Sequence, residues 1–331
     1  MKASRILHSL PALNTLLKEE KASSVCIVTS SALKNKLGWA LKEINSPFTI
    51  ALLPDGEEAK EWKEIEKLLK KFVHYKLDRN SIVIALGGGT IGDTVGFAAS
   101  IYLRGIRYIQ VPTTLVAQVD SAHGGKTGIN FSNYKNQIGS FHVPIATIIE
   151  TRFIHSLSRE QVIDGLGEII KSGLIKDASI LRLLQNETVL SLIKSPRLPH
   201  IITKTISVKN YYVSKDFKDS KERQLLNVGH TFGHAIELKY KISHGKAVLI
   251  GMLQELAFTE SLGLSDASVR VKLSELLMRL GISIDTNMKA NWKTILHDKK
   301  IKGNKIEFPT IEQEGKSTLI TLDLETLKTF L

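Results

Sequence analysis

The sequence predicts an α/β N-terminal domain with a Rossmann-like parallel sheet over residues 1–155, followed by a mostly α-helical C-terminal domain over residues 156–331. Three observations carry this. Short apolar runs alternate with amphipathic stretches through the first half, the pattern of β-α-β units stacked around a mainly parallel sheet. A glycine-rich segment joins one of those runs directly to a helix-compatible stretch. After about residue 155, strand-like runs give way to long stretches of helical period.

The expected strands are 24–29 (SVCIVT), 48–53 (FTIALL), 81–86 (SIVIAL), 106–111 (IRYIQV) and 146–150 (ATIIE). Residues 57–76 predict a helix, because Trp62, Ile65, Leu69 and Phe72 recur at 3, 4, 3 spacing while Lys and Glu cover the other face, with Glu66 and Lys70 as a supporting pair. In the second half, helices are expected over 159–176, 178–193, 197–218, 223–240, 244–263 and 266–280. KIEFPT and STLITLD predict a small hairpin before a last helix at 323–331. A length of 331 residues suits about two domains, and no repeat, low-complexity tract or Pro/Gly/Ser-rich linker separates them.

Composition narrows the function classes. Hydrophobic residues make up 43% and aromatics 6%, enough aliphatic material for a sizeable core and too much for a disordered chain. Cys26 is the only cysteine, so neither a disulfide framework nor a cysteine metal cluster is available within the chain. No segment approaches the ~18 apolar residues of a membrane span, and the N-terminal stretch lacks the apolar core of a signal peptide; a cytoplasmic protein with no membrane partner is expected. Lys and Arg number 45 against 33 Asp and Glu, a net charge of +12 that permits anionic partners, although a solvated basic surface is the simpler reading. A non-catalytic binder of anionic polymers rests on that charge alone. Zinc-finger spacing, an RNP-like aromatic motif and lysine tracts with interleaved aromatics are all missing, so no nucleic-acid partner is expected.

The run SIVIAL leads into GGGTIGD, residues 87–93. Gly87, Gly89 and Gly92 have the spacing of a dinucleotide fingerprint, in which glycines let the backbone approach a pyrophosphate and the following helix offers its amides. The acidic residue expected about 20 positions later is absent from IRYIQVPTT, which argues against the ordinary Rossmann version. A tight turn with no ligand is the bland alternative. Asp93 is suited either to capping the helix or to holding part of a nucleotide.

In NVGHTFGHAIE, His230 and His234 are four residues apart and share a helix face; SHGKAV supplies His244, and DGLGEIIKSG places Glu168 and Lys171 on one face. Two imidazoles and a carboxylate suit a catalytic divalent site with room for a substrate oxygen, zinc before other metals. Spacing alone leaves His234 as eligible as His230, and such a pair is otherwise a capping or core feature. Gly229, Gly233 and Gly245 favour a site, because they let a ligand or another backbone come close. His8, His74, His142, His155, His200 and His297 lack such neighbours. Arg104, Arg107, Lys126, Lys135, Lys171, Lys209, Arg223 and the run Asp298, Lys299, Lys300 provide charges able to clamp a phosphate and a carboxylate, though each alone reads as surface.

Taken in order, GGGTIGD, RGIRYIQVPTTLVAQVDSAHGGKTGIN, KNQIG, GLGEIIKSG, LLNVGHTFGHAIE and HGKAV resemble the signature segments of the 3-dehydroquinate synthases, over roughly residues 50–300. The resemblance implies a dehydroquinate synthase-like fold and a carbon–oxygen lyase of the shikimate pathway, which leads to chorismate and the aromatic amino acids. It implies conversion of 3-deoxy-D-arabino-heptulosonate 7-phosphate to 3-dehydroquinate and phosphate by transient NAD-dependent oxidation, phosphate elimination, re-reduction and aldol closure. Another sugar phosphate cyclase, such as one giving 2-deoxy-scyllo-inosose, and a glycerol or iron-type alcohol dehydrogenase are the alternatives within the fold.

Carried onto this chain, the resemblance implies a divalent metal, zinc or cobalt, on Glu168, His230 and His244, with His234 an acid-base residue on the substrate side. NAD contacts are implied for Asp55, Gly56, Glu57, Glu58, Ala59 and Lys60, for Gly88, Gly89, Thr90, Ile91, Gly92 and Asp93, for Thr113, Thr114, Lys126 and Lys135, and for Phe153, Ile154, His155 and Ser156. Substrate contacts are implied for Asp120, Lys126, Lys135, Asn136, Lys171, Lys209, Arg223, Asn227, His234 and one of Lys299 or Lys300. Arg104 resembles an arginine that reaches the phosphate across a homodimer interface. Three positions depart from the family pattern: Lys246 replaces a usual glutamate, Ala122-His123 a Ser plus aliphatic pair, and Ser30 an Asp or Asn.

Overall fold

The computed structural model describes residues 4–132, 134–296 and 301–330. The chain divides into two compact units, Met1–Ser156 and Leu157–Leu331, a boundary one residue later than the sequence suggests.

The first unit is built on a six-stranded parallel sheet. Its strands are β1 (Arg5–His8), β2 (Val25–Ser30), β3 (Thr49–Leu53), β4 (Ile82–Gly87), β5 (Arg107–Pro112) and, after an antiparallel hairpin of β6 (Lys126–Phe131) and β7 (Tyr134–Phe141), β8 (Ala146–Ile149). Every residue of β2 and β4 is buried, because helices cover both faces and alternate side chains feed separate cores. Cys26, Val28 and Val83 pack with Ile65 and Phe72 on one face; Ile27, Ile82 and Ile84 pack with Leu13 and Leu16 on the other. Leu13 and Leu16 belong to α1 (Leu10–Glu19), Ile65 and Phe72 to α2 (Trp62–His74). The strand order is β1-β8-β5-β4-β2-β3. It reverses between β2 and β4, and in such sheets ligands bind beyond the carboxyl ends of the strands at the point of reversal. The glycine-rich turn leaves β4 there and runs into α3 (Gly89–Ile101).

Two sequence expectations shift in this unit. The helix predicted over 57–76 starts at Trp62, since Gly56–Lys60 forms a separate 3-10 turn. Trp62, assigned to the core stripe, is 49% exposed.

The second unit is mainly helical: α4 (Arg159–Ile175), α5 (Leu198–Lys215), α6 (His230–Tyr240), α7 (His244–Ser261) and α8 (Ala267–Arg279), with shorter turns between. α4 starts at a capping box in which Ser158 and Gln161 bond each other's backbone amides. The helix expected over 178–193 is two, Ser179–Leu184 and Val189–Lys194, because Thr188 and Ser191 build a new cap. The one expected over 223–240 divides as well, into a 3-10 turn Glu222–Asn227 and α6, at Gly229 with φ +79°. β9 (Ile301–Lys302), β10 (Lys305–Gln313) and β11 (Lys316–Asp323) form an antiparallel sheet, and a helix Leu324–Phe330 follows. Phe232, Phe258 and Phe308 meet with centroids 5.5 to 6.5 Å apart in this unit's core, together with Ile236, Ile250 and Leu327. No helix among the described residues is long and apolar enough to cross a membrane.

Candidate functional site

Glycines set the backbones of α4, α6 and α7 against one another. A Cβ on Gly167 would lie 3.1 Å from Gly245 Cα, and one on Gly233 would lie 3.0 Å from Ala247 O. A Cβ on Gly251 would fall on Gly229 O. It is thus protein backbone, not ligand, that these glycines admit. His230 and His244 are the first residues of α6 and α7, so the contacts fix their starting points relative to each other and to Glu168 on α4.

The helix starts are held by carboxylates from elsewhere in the unit. Glu255, on α7, accepts the amides of Gly229 (2.6 Å), Thr231 (3.0 Å) and Phe232 (3.4 Å) at the start of α6. Asp164, on α4, accepts the Gly245 amide (2.8 Å) at the start of α7. Neither N-cap, Gly229 or Ser243, supplies a side-chain cap of its own.

Glu168 is 2% exposed and points one oxygen at both imidazoles: Oε1 is 3.5 Å from His230 Nε2 and 3.3 Å from His244 Nε2. A tetrahedral ion bonded at about 2.0–2.1 Å has ligand-to-ligand edges of about 3.3–3.4 Å. The two carboxylate–imidazole edges therefore lie close to those of a metal coordination shell. Hydrogen bonding orients the rings: His230 Nδ1 lies 3.1 Å from Val228 O, and His244 Nδ1 lies 3.0 Å from Glu237 Oε2. With its Nδ1 proton on the carbonyl, His230 turns the Nε2 lone pair toward a carboxylate oxygen, which is repulsive unless a cation lies between.

Electrostatics follow from the same geometry. Burial and the Lys171 ammonium hold His230 below the usual imidazole value. Burial disfavours a charged His244, but hydrogen bonds with Glu168 and Glu237 outweigh it and push that group up to about 10. Glu168 lies well below the carboxylate range: burial opposes its charge, while the Lys171 ammonium and the charged His244 ring favour it. Lys171, itself 2% exposed, pairs with Glu168 Oε2 and leaves Oε1 to the imidazoles.

Among the described residues, the group with ligand atoms within 4.8 Å of one another is Glu168, His230 and His244. His234, as eligible by spacing, is exposed, with its ring centroid 5.1 Å from that of His230 and 6.1 Å from that of His244. Arg223 is buried and donates to Phe217 O (2.7 Å); Asn227 ends the turn just before Val228, and Lys209 lies half-buried on α5. Lys246 makes no ion pair or side-chain hydrogen bond among the described residues. Lys299 and Lys300 lie outside them. Glu237, Glu255 and Asp164 escape sequence reasoning, although a lone charge in the apolar run AVLIGMLQELAF is a signal for Glu255.

In the first unit, Gly88 is the N-cap of α3 and offers no side-chain cap. Asp93 does not cap that helix: Lys60 Nζ donates to Asp93 Oδ2 (2.7 Å) and to Asn136 Oδ1 (2.6 Å). A Cβ on Gly92 would lie 3.0 Å from Gln110 Nε2, so Gly92 serves close packing of helix on strand. Thr113 donates its amide to Gly87 O (2.9 Å), and the Thr114 methyl packs beside Gly88. Ser30 at the end of β2 donates to Asp55 beyond β3. Asn130 donates to Glu57 Oε1 (2.7 Å) and accepts the Asn136 amide (2.9 Å), tying the β6–β7 hairpin, with Lys126 and Lys135, to the Gly56–Lys60 turn. Asp120 lies in the turn Ala117–Ser121. His123 is buried with its Nε2 2.8 Å from Gln118 O. Phe153 and Ile154 are fully buried, Phe153 against Trp39, which leaves His155 and Ser156 nearer the surface.

The family model described as 3-dehydroquinate synthase N-terminal matches residues 50–164, and the one described as 3-dehydroquinate synthase C-terminal matches residues 165–301. A 3-dehydroquinate synthase of Dictyoglomus thermophilum is 42% identical over 277 residues, covering 82% of this chain and 78% of that protein. One of Clostridium kluyveri is 39% identical over 325 residues, covering 94% and 89%. Among solved structures, a 2-deoxy-scyllo-inosose synthase complexed with carbaglucose-6-phosphate, NAD+ and Co2+ superimposes with TM-score 0.86 at 24% identity, covering 99% of this chain and 96% of that one. A 2-epi-5-epi-valiolone synthase of Streptomyces hygroscopicus subsp. jinggangensis 5008 with NAD+ and Zn2+ bound gives 0.87 at 22%, covering 100% and 96%. At those identities the superpositions speak for the fold. The two family matches meet end to end on one chain, and the relatives align over most of their own length; the chain belongs to the 3-dehydroquinate synthase family.

Proposed function

We propose that this chain converts 3-deoxy-D-arabino-heptulosonate 7-phosphate to 3-dehydroquinate and phosphate, using NAD and a divalent metal, zinc or cobalt. The observation that carries the reading is Glu168 Oε1 at 3.3 and 3.5 Å from two imidazole nitrogens, in a chain of this family. Glu168, His230 and His244 hold the ion. When bound, the ion supplies Lewis acidity and NAD a reversible hydride acceptor, so oxidation and re-reduction cancel.

The protein's own groups do the rest. Glu237 and Val228 O fix which ring nitrogens face the ion. His234, exposed beside His230, exchanges protons with a substrate hydroxyl. Lys209, Arg223 and Asn227 take the carboxylate; Asp120, Lys126, Lys135, Asn136, Lys171 and one of Lys299 or Lys300 complete the substrate contacts. The positive charges of the lysines among them favour departure of phosphate.

The first unit binds NAD and supplies Asp120, Lys126, Lys135 and Asn136, and the second holds the metal and the remaining substrate contacts. Amides at the start of α3 receive the pyrophosphate, with Gly88–Asp93, Asp55–Lys60, Thr113, Thr114, Lys126, Lys135 and the 153–156 turn as the remaining contacts. A second copy of the chain docks beside Arg104, a reading supported by the exposed Ile101 and Leu103 next to it, and Arg104 reaches the partner copy's phosphate. The enzyme works in the cytoplasm, consistent with a single buried thiol at Cys26.

Purified protein should release phosphate from the heptulosonate phosphate only with NAD present, lose that activity to a chelator, and accumulate no NADH. Steady NADH production from glycerol or a simple alcohol, with no phosphate release, would contradict the proposal.

A further inference from the structure

We infer that Glu255 is a positioning residue for the metal centre: its buried carboxylate holds the start of α6 and so sets where His230 presents its imidazole. The inference rests on the reading that His230 binds the ion.

Glu255 is 3% exposed. Burying a carboxylate is costly unless hydrogen bonds compensate. Here Oε2 accepts the Gly229 amide at 2.6 Å, and Oε1 accepts those of Thr231 at 3.0 Å and Phe232 at 3.4 Å. A Ser, Thr, Asp or Asn at the N-cap would meet the same amides at lower cost. That route is closed. Position 229 has φ +79°, and a Cβ there would lie 2.5 Å from Met252 Cγ and 2.7 Å from Val248 O. The close approach of α6 to α7 demands glycine, so the cap has to come from the packed helix.

His230 stands between the amides that Glu255 holds. Its Nδ1 is anchored to Val228 O, in the peptide that contributes the Gly229 amide. The imidazole is therefore referenced to a backbone turn whose placement Glu255 determines. A carboxylate near the α6 N-terminus also complements that helix's dipole. Gln in its place offers one acceptor oxygen and turns an NH2 group toward backbone donors.

The test uses the full chain loaded with cobalt(II), followed by visible absorbance. Glu255→Gln should raise the cobalt dissociation constant about 10- to 100-fold, the range for a residue acting through a ligand, and shift the ligand-field bands of the saturated site. Leu273→Ala, a core deletion in α8, serves as the stability control and should leave affinity and bands unchanged. Wild-type affinity and bands in Glu255→Gln overturn the inference, as does equal loosening in Leu273→Ala. Should Glu255→Gln not fold, Glu255→Asp keeps the charge with shorter reach: weaker cobalt binding supports the inference and unchanged binding overturns it. His230→Ala tests the underlying reading separately, since wild-type cobalt affinity in that variant removes His230 from the site altogether.

Discussion

Replacing Glu168 by Gln separates the charge of the site from its shape. The amide nearly matches the carboxylate in size, and the carboxylate has two jobs: Oε1 faces both imidazoles at 3.3 and 3.5 Å, while Oε2 neutralises Lys171. For the metal, losing a group that merely orients a ligand costs about 10- to 100-fold in affinity; losing an anionic ligand should exceed 100-fold, more than about 2.8 kcal/mol. For the fold, Glu168 and Lys171 are each 2% exposed, and removing one member of a buried pair costs about 3–5 kcal/mol because the other charge is stranded. At about 2–4 °C per kcal/mol for a unit of this size, the metal-free variant should melt about 6–20 °C below wild type. Adding Lys171→Met should return much of that loss without restoring metal binding. Calorimetric metal titrations and thermal melts in chelator read the two effects independently. A single variant within threefold of wild-type metal affinity, or a double variant no more stable than the single one, would refute the reasoning.

Three further outcomes are expected. In the metal-free protein the His244 value is raised from 6.5 to about 10, so its contribution to stability is present below about pH 6.5 and lost as pH rises through 10. Metal must displace that proton, so affinity should climb by up to about tenfold per pH unit between 6.5 and 10; titrations that give one constant at pH 7 and pH 9 contradict this. Gly251→Ala should abolish cobalt binding and destabilise the second unit by at least about 1–3 kcal/mol, since the new Cβ falls on Gly229 O; wild-type binding and melting would falsify the glycine packing. In the first unit, Arg152 bonds Glu43 twice (both 2.8 Å) and Glu150 (2.7 Å), which depresses both carboxyls, so this stability is present above about pH 4.5 and lost as pH falls. The stability gap between wild type and Arg152→Met, measured by urea unfolding, should therefore narrow toward pH 3, and a constant gap argues against the carboxylates.

The central strands are legible because burial on both faces forces continuous apolar runs such as SIVIAL. β1 is an edge strand of four residues with exposed ends, and β7 is exposed along most of its length, so neither leaves such a run. The split at Gly229 depends on a φ that local spacing does not reveal, and the cap at Thr188 on a single hydroxyl pair. Histidine spacing brings out His230 and His234 equally, since a helix face is all that spacing encodes. Only the approach of α4, carrying Glu168, distinguishes them, and that is a tertiary fact. Glu237 and Asp164 leave no signal in local spacing because their partners lie seven and 81 residues away.

Anomalous diffraction at the cobalt edge, from crystals of the full chain grown with cobalt(II) and NAD, tests the central claim most directly. One strong peak bonded to Glu168, His230 and His244 at about 2.0–2.2 Å is the predicted result. A peak elsewhere, or His234 in place of His230 among the ligands, would contradict it.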